Sequence, residues 1–162
     1  MSEAKDGIFY LKGVNDTFHD QLKVADTKAT YIMSVIVLMI VWSPNVREVF
    51  LQPSRAAFAS PIWLLSVVMT GALGASLVCA LCVVVPRKSK SGTPLFWGAW
   101  PEAAPLAIGL ALADDRRALI ESYARNAESL AAICRRKYAF VTLALWGLIV
   151  AILAHVTLTI AR

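Results

Sequence analysis

The chain has 162 residues, 58% of them hydrophobic, with a mean hydropathy of +0.62 and a net charge of +5. That length is enough for one domain, and its apolar content, gathered in blocks, excludes an ordinary soluble domain in favour of a membrane protein. The positive charge sits at the edges of those blocks and lacks the interleaved aromatics of a nucleic-acid-binding sheet, so it reads as topology, and no nucleic-acid polymer is expected as a partner.

Residues 4–25 carry a helical pattern. Ala4, Ile8, Leu11, Asn15, Phe18, Leu22 and Ala25 recur at alternating spacings of four and three, a heptad seam with one polar member. An Asn at such a seam fixes register and oligomer state at some cost in stability, so Asn15, Phe18 and Leu22 are the candidate oligomer seam. A seam that packs on another helix of the same chain is equally compatible with the pattern. Asp16, His19, Asp20 and Lys23 run beside it at helical spacing. They could resemble metal ligands, but the preferred reading is a solvated face with an Asp20–Lys23 ion pair, and no metal is expected.

The first apolar run follows without a break, since no Gly or Pro lies between Val14 and Ser43. It predicts a first span over 24–43, near the ~20-residue minimum for crossing hydrocarbon. Starting this far into the chain, after Glu3 and Asp6, it reads as an uncleaved anchor and not a signal peptide. Lys23, Asp26 and Lys28 fall at the water–lipid boundary and are candidate gating residues. Pro44 and Asn45 are expected to stop the span, leaving 44–60 as a short connector.

The second span, 62–85, is 24 residues without a charge. Trp63 suits an interface, and Gly71, Gly74 and Ala75 would let another helix approach closely. Cys79 and Cys82 are spaced like a redox or metal motif. Flanked by Val78, Leu81 and Val83, with no second Cys/His pair, they read as small buried residues. Residues 86–113 form a basic, aromatic loop, from Pro86-Arg87-Lys88 to Leu95-Phe96-Trp97 and Trp100, suited to lipid headgroups. Its apolar stretch 103–113 is too short to span.

A second helical segment is predicted over 114–137, with Asp114 and Asp115 at its N-terminus. Leu119, Tyr123, Asn126, Leu130 and Ile133 form a second seam, again with one Asn, beside a smaller stripe of Ile120, Ala124, Ala127, Ala131 and Cys134. Arg135-Arg136-Lys137-Tyr138 closes it, and a third span follows over 139–160, with Trp146 and His155.

The distribution of Lys and Arg sets orientation. An N-terminus inside the cytoplasm places 13 of them inside and three outside, and the reverse places 13 outside. The expected fold is therefore an all-α membrane protein with three transmembrane helices. The first and third extend into the cytoplasm as parallel amphipathic helices, and the C-terminus is periplasmic. Asp26 should lie near the depth of Arg135, Arg136 and Lys137, where a facing cation relieves the cost of its burial.

Three stretches taken together resemble a known family. They are Asn15-Asp16 with Gln21-Leu22-Lys23-Val24-Ala25-Asp26-Thr27-Lys28-Ala29, then Pro94-Leu95-Phe96-Trp97-Gly98, then Arg136-Lys137-Tyr138 ahead of the last span. The chain resembles the Pycsar transmembrane effectors (PycTM) over nearly its whole length. The resemblance implies a bacterial inner-membrane protein of antiphage defence. A neighbouring cyclase makes cyclic UMP or cyclic CMP on infection, and the effector responds by damaging the membrane and killing the host cell. Membrane lipid and further copies of the chain are the other implied partners, with no cofactor.

Cyclic-nucleotide receptors usually carry a β-roll with a phosphate-binding cassette, and nothing in this sequence would form one. A direct nucleotide site would have to be helical. Arg125, Arg135, Arg136 and Lys137 are the candidates for the phosphate, with Asn126 and Tyr138, and also Asn15 and Tyr123, for the base. The preferred reading of Arg135, Arg136 and Lys137 is a stop-transfer and topology signal. No nucleophile–base pair, metal cluster or phosphate loop is present, so no enzymatic activity is expected. A membrane scaffold that binds a cytoplasmic protein through the seams is the rival function.

Overall fold

A computed structural model describes residues 2–51, 60–85, 105, 108–109 and 116–161. Among these there is no strand. The elements are α1 (Ser2–Trp42), α2 (Pro44–Leu51), α3 (Pro61–Val84) and α4 (Arg116–Ala161). α1, α3 and α4 are each long and apolar enough to cross a membrane. The 86–113 basic, aromatic loop and the Asp114-Asp115 pair lie outside the described residues, apart from Pro105, Ile108 and Gly109.

Helix ends follow local chemistry. The amide of Ser43 closes α1 on the Met39 carbonyl at 3.1 Å. Ser43 then caps α2: its Oγ accepts from the Val46 amide at 3.4 Å, and its carbonyl accepts from the Arg47 amide at 3.1 Å. Pro44 is therefore the first residue of a new helix, where its missing N–H costs nothing. The expected connector over 44–60 thus begins with a short helix. Ser60 and Pro61 repeat the device at α3, with Ser60 Oγ accepting from the Trp63 amide at 3.2 Å. α3 ends at Val85, whose ψ of 123° is the extended conformation that a following proline, Pro86, favours.

The chain divides into two compact units. The first holds Met1–Val24 and Pro86–Arg136, and the second holds Ala25–Val85 and Lys137–Arg162. In the first, α1 and α4 pair along the two predicted seams. Asn15, Asn126 and Leu130 are buried, while Ile8, Leu11, Phe18, Leu22, Leu119, Tyr123 and Ile133 are half-buried. Ala127 and Cys134 of the neighbouring stripe are buried as well, so the contacting face of α4 is broader than one seam. The pairing within this unit is parallel: residues 15 and 18 of α1 meet residues 123–126 and 134 of α4, rising together.

The second unit packs α1, α2, α3 and α4 around Ala25, Ala29, Ile32 and Ile36, Val46 and Val49, Met69 and Leu73, and a row on α4 from Val141 to Leu158. Ala recurs at the contacts of α1, α3 and α4. Lipid tails are as apolar as Leu, so close approach of backbones replaces hydrophobic drive in a membrane, and small residues permit it. α3 and α4 approach closely at Gly147. A Cβ on Gly147 would meet Ser76 Cβ at 3.0 Å and the Ala72 carbonyl oxygen at 3.1 Å. At the same place Ser76 Oγ donates to the Ala144 carbonyl at 2.6 Å. The sequence pointed instead to Gly71, Gly74 and Ala75. Gly71 and Ala75 are exposed and Gly74 half-buried, and a Cβ on either glycine would meet nothing within 4 Å. The small-residue contact is on α3 as expected, but one face round and with its glycine on α4.

Candidate functional site

The residues singled out from the sequence fall into two groups of contacts, one in each unit. In the first unit the two seam asparagines meet. Asn126 Nδ2 donates to Asn15 Oδ1 at 2.7 Å. Asn15 Nδ2 in turn donates to the Leu11 carbonyl at 2.8 Å and the Tyr123 carbonyl at 3.2 Å. Asn15 is only 5% exposed, so its amide is satisfied by protein alone. Cys134 Sγ donates weakly to the Phe18 carbonyl at 3.5 Å, which gives this buried thiol a packing role. The sequence left open whether these seams pair within one chain or between chains. Here the pairing is within one chain, and Asn15, Phe18 and Leu22 all lie on it.

The outer faces in this unit carry the charges. Arg125 is exposed and donates to Glu121 at 2.6 Å, one turn before it. Arg135 and Arg136 are exposed. On α1, Lys23 and Asp20 form the expected exposed pair at 3.1 Å. Such surface pairs contribute about 0.3–0.5 kcal/mol and are screened by salt. Asp16 and His19 are exposed too.

In the second unit, Lys137 Nζ donates to Asp26 Oδ1. The two sides of this ion pair are unequally placed. The Lys137 side chain is 12% exposed and Asp26 44%, so the cation is the buried partner. Two residues on from Asp26, the Lys28 ammonium stands over the ring of Tyr138, the residue after Lys137, 5.5 Å from its centroid, a cation–π distance. Of the three cations expected near Asp26, Lys137 makes the contact. Lys137, Tyr138 and Lys28 thus all hold α1 and α4 together here.

The six candidate ligand residues accordingly separate. Asn126, Lys137 and Tyr138 are engaged in holding the helices, while Arg125, Arg135 and Arg136 face outward. A nucleotide phosphate could reach the outward three without disturbing the fold, and could reach the others only by replacing a helix contact. Sequence reasoning did not find Ser76, Gly147 or the Lys28–Tyr138 contact. A serine in the middle of an uncharged span was the available signal for the first, since intramembrane hydroxyls commonly bond across helices. An open apolar groove of about 630 Å³ also lies beside Leu38, Met39, Trp42, Ser43 and Pro44, where α1 gives way to α2.

No curated protein and no solved structure matches the chain. A family does: the Pycsar effector protein domain, PycTM, matches residues 10–162. The match begins in the N-terminal part of α1, takes in both asparagines and the Asp26–Lys137 pair, and runs through the last helix to the end. The chain belongs to the PycTM family of Pycsar effectors, and with it to antiphage defence.

Proposed function

We propose that the protein senses a cyclic pyrimidine mononucleotide, cyclic UMP or cyclic CMP, and impairs the integrity of the bacterial inner membrane, so that the infected cell dies before phage spreads. The observation that carries this reading is the family match over 10–162, joined to three helices long enough to span a membrane. A neighbouring cyclase supplies the nucleotide. The chain itself is non-enzymatic and works as an oligomer, with its N-terminus in the cytoplasm and its C-terminus in the periplasm, as the Lys and Arg distribution favours.

The nucleotide phosphate is met first by the outward Arg135 and Arg136, with Arg125 as a further candidate that must leave Glu121. Guanidinium groups suit a phosphodiester because two N–H donors match two oxygens. Response then requires a change in the seam contacts of α1 and α4, of which Asn15–Asn126 is the centre in the first unit. The test is leakage from proteoliposomes holding a voltage-sensitive dye. Collapse of the potential on adding cyclic UMP or cyclic CMP, but not cyclic AMP, is the expected result. A folded, reconstituted protein that leaks with none of them would sink the proposal.

One observation favours a second reading, a membrane adaptor for a protein partner. Phe9 is 81% and Tyr10 71% exposed on α1. Large aromatics at a water-facing position suit a protein contact. An adaptor would retain a soluble partner in a pulldown, and cyclic nucleotides would not shift its melting.

A further inference from the structure

The outer faces of α1 and α3 in the second unit differ in chemistry. Every exposed side chain that α3 presents between Pro61 and Val84 is apolar. α1 presents Thr27, Thr30, Tyr31 and Ser34, all exposed, with Tyr31 at 67%. Their spacing of three and four puts them in one row, on the side of α1 opposite Ala25, Ala29, Ile32 and Ile36. The row runs about 10 Å along the helix. Beyond it the same face turns apolar, with Leu38 55% and Val41 65% exposed.

Hydrocarbon is a poor medium for such a row. Thr30 Oγ1 and Ser34 Oγ donate back to the carbonyls of Asp26 and Thr30, at 2.9 and 3.0 Å. Those bonds use the hydroxyl protons and leave oxygen lone pairs facing outward, where lipid offers no donor and water does. A scattered hydroxyl in a span needs no explanation, and Thr142, Thr157 and Thr159 of α4 are of that kind, with no 3–4 spacing joining them. An outward row at each turn of one helix is different, because one chain cannot enclose it and several copies presenting the same face can.

We infer that the α1 face bearing Thr27, Thr30, Tyr31 and Ser34 lines a water-filled path enclosed by copies of this chain, with Leu38 and Val41 as its apolar constriction. The inference rests on the membrane-integrity reading above and says how the membrane is breached. The row carries no Asp, Glu, Lys, Arg or His that would select by sign in the membrane, so the path conducts small hydrated monovalent ions with little discrimination. The constriction closes it by shedding water and opens when the copies move apart.

The test is aqueous access to single cysteines in the full-length reconstituted chain, with Cys79, Cys82 and Cys134 replaced by Ala. Thr30→Cys and Ser34→Cys are compared with Leu153→Cys, which is 63% exposed on α4. Under activating cyclic nucleotide, a charged, membrane-impermeant thiol reagent should label positions 30 and 34 at least about tenfold faster than position 153, and labelling at 34 should block ion leakage. Equal, slow labelling at all three while leakage persists would overturn the inference and leave the membrane-integrity reading standing. If the unaltered chain never leaks, that reading falls and the inference with it. Should the cysteine-free chain fail to fold, Ser34→Leu and Ser34→Thr in the native background decide the matter. Leakage lost in the first and kept in the second supports the path, and leakage kept in both overturns it.

Discussion

Asn126 donates a 2.7 Å hydrogen bond to Asn15 across the α1–α4 seam, and both residues are buried. Asn15→Ala leaves the Asn126 amide facing an apolar gap. Removing one partner of a buried polar pair costs about 1–3 kcal/mol, more than the bond itself contributes. Thermal unfolding in detergent should therefore fall clearly for Asn15→Ala. The double variant Asn15→Leu, Asn126→Leu should recover most of the loss, because no orphaned group remains. A double variant as unstable as the single one would show that the asparagines hold the fold through other contacts.

The Asp26–Lys137 pair gives a sharper comparison. Asp26→Ala strands an ammonium that is 12% exposed, whereas Asp16 is exposed on the outer face of α1. The first change should destabilise by about 1–3 kcal/mol, reduced from a fully buried pair because Asp26 is half in solvent, and the second by less than about 0.5 kcal/mol. Melting temperature and cell killing on induction should both rank Asp26→Ala below Asp16→Ala. Equal effects would make Asp26 an ordinary interfacial charge. The exchange Asp26→Lys, Lys137→Asp should restore part of the stability.

Three glycines separate packing from tolerance. Gly147 has Ser76 and the Ala72 carbonyl within 3.1 Å of where a Cβ would stand, and backbone cannot step aside cheaply. Gly147→Leu should cost about 1–3 kcal/mol by overpacking. Gly71→Ala and Gly74→Ala meet open space and should be neutral or stabilising by up to about 1 kcal/mol. Detergent-titrated unfolding of the three variants checks the order, and a destabilised Gly71→Ala would restore the face read from the sequence.

Ser76→Ala removes the hydroxyl that bonds the Ala144 carbonyl at 2.6 Å. Ala144 keeps its own helical partner, and interhelical hydrogen bonds in membranes average about 0.6 kcal/mol. A small loss of stability is expected, well below that of Gly147→Leu, although both sit at the same crossing. A loss as large as that of Gly147→Leu would mean that the hydroxyl, and not close contact, fixes it.

What the sequence could reveal depended on contrast. The long helices were legible because apolar blocks stand beside charged ones: a span is expected over 62–85, and the helix there is Pro61–Val84. The seams were legible because in a charged segment the apolar positions mark the buried face, and each Asn stood out within its seam. Inside the spans nearly every residue is apolar, so no periodicity marks the packed face, and Gly71 and Gly74 were chosen by type alone. Gly147 sat unnoticed in an equally apolar run. The α2 helix is not legible while Pro44 is read only as a stop, although Ser43-Pro44 is also the way a helix begins. Tyr138 was seen as a possible base-stacking group, but no local pattern announces that Lys28, 110 residues away in the chain, would occupy its ring.

The paired amides have a consequence for how this part of the molecule can respond. Asn15 uses both N–H groups on carbonyls and its oxygen on Asn126, a set of directions that no intermediate slide of α1 along α4 preserves. A seam of aliphatic side chains can creep by fractions of a turn, since its contacts are non-directional. One locked by three directed bonds holds its position until all of them let go, so movement there proceeds in whole steps with a threshold. Neither group titrates, and neither carries a charge for salt to screen, so that threshold stays put when pH or ionic strength changes.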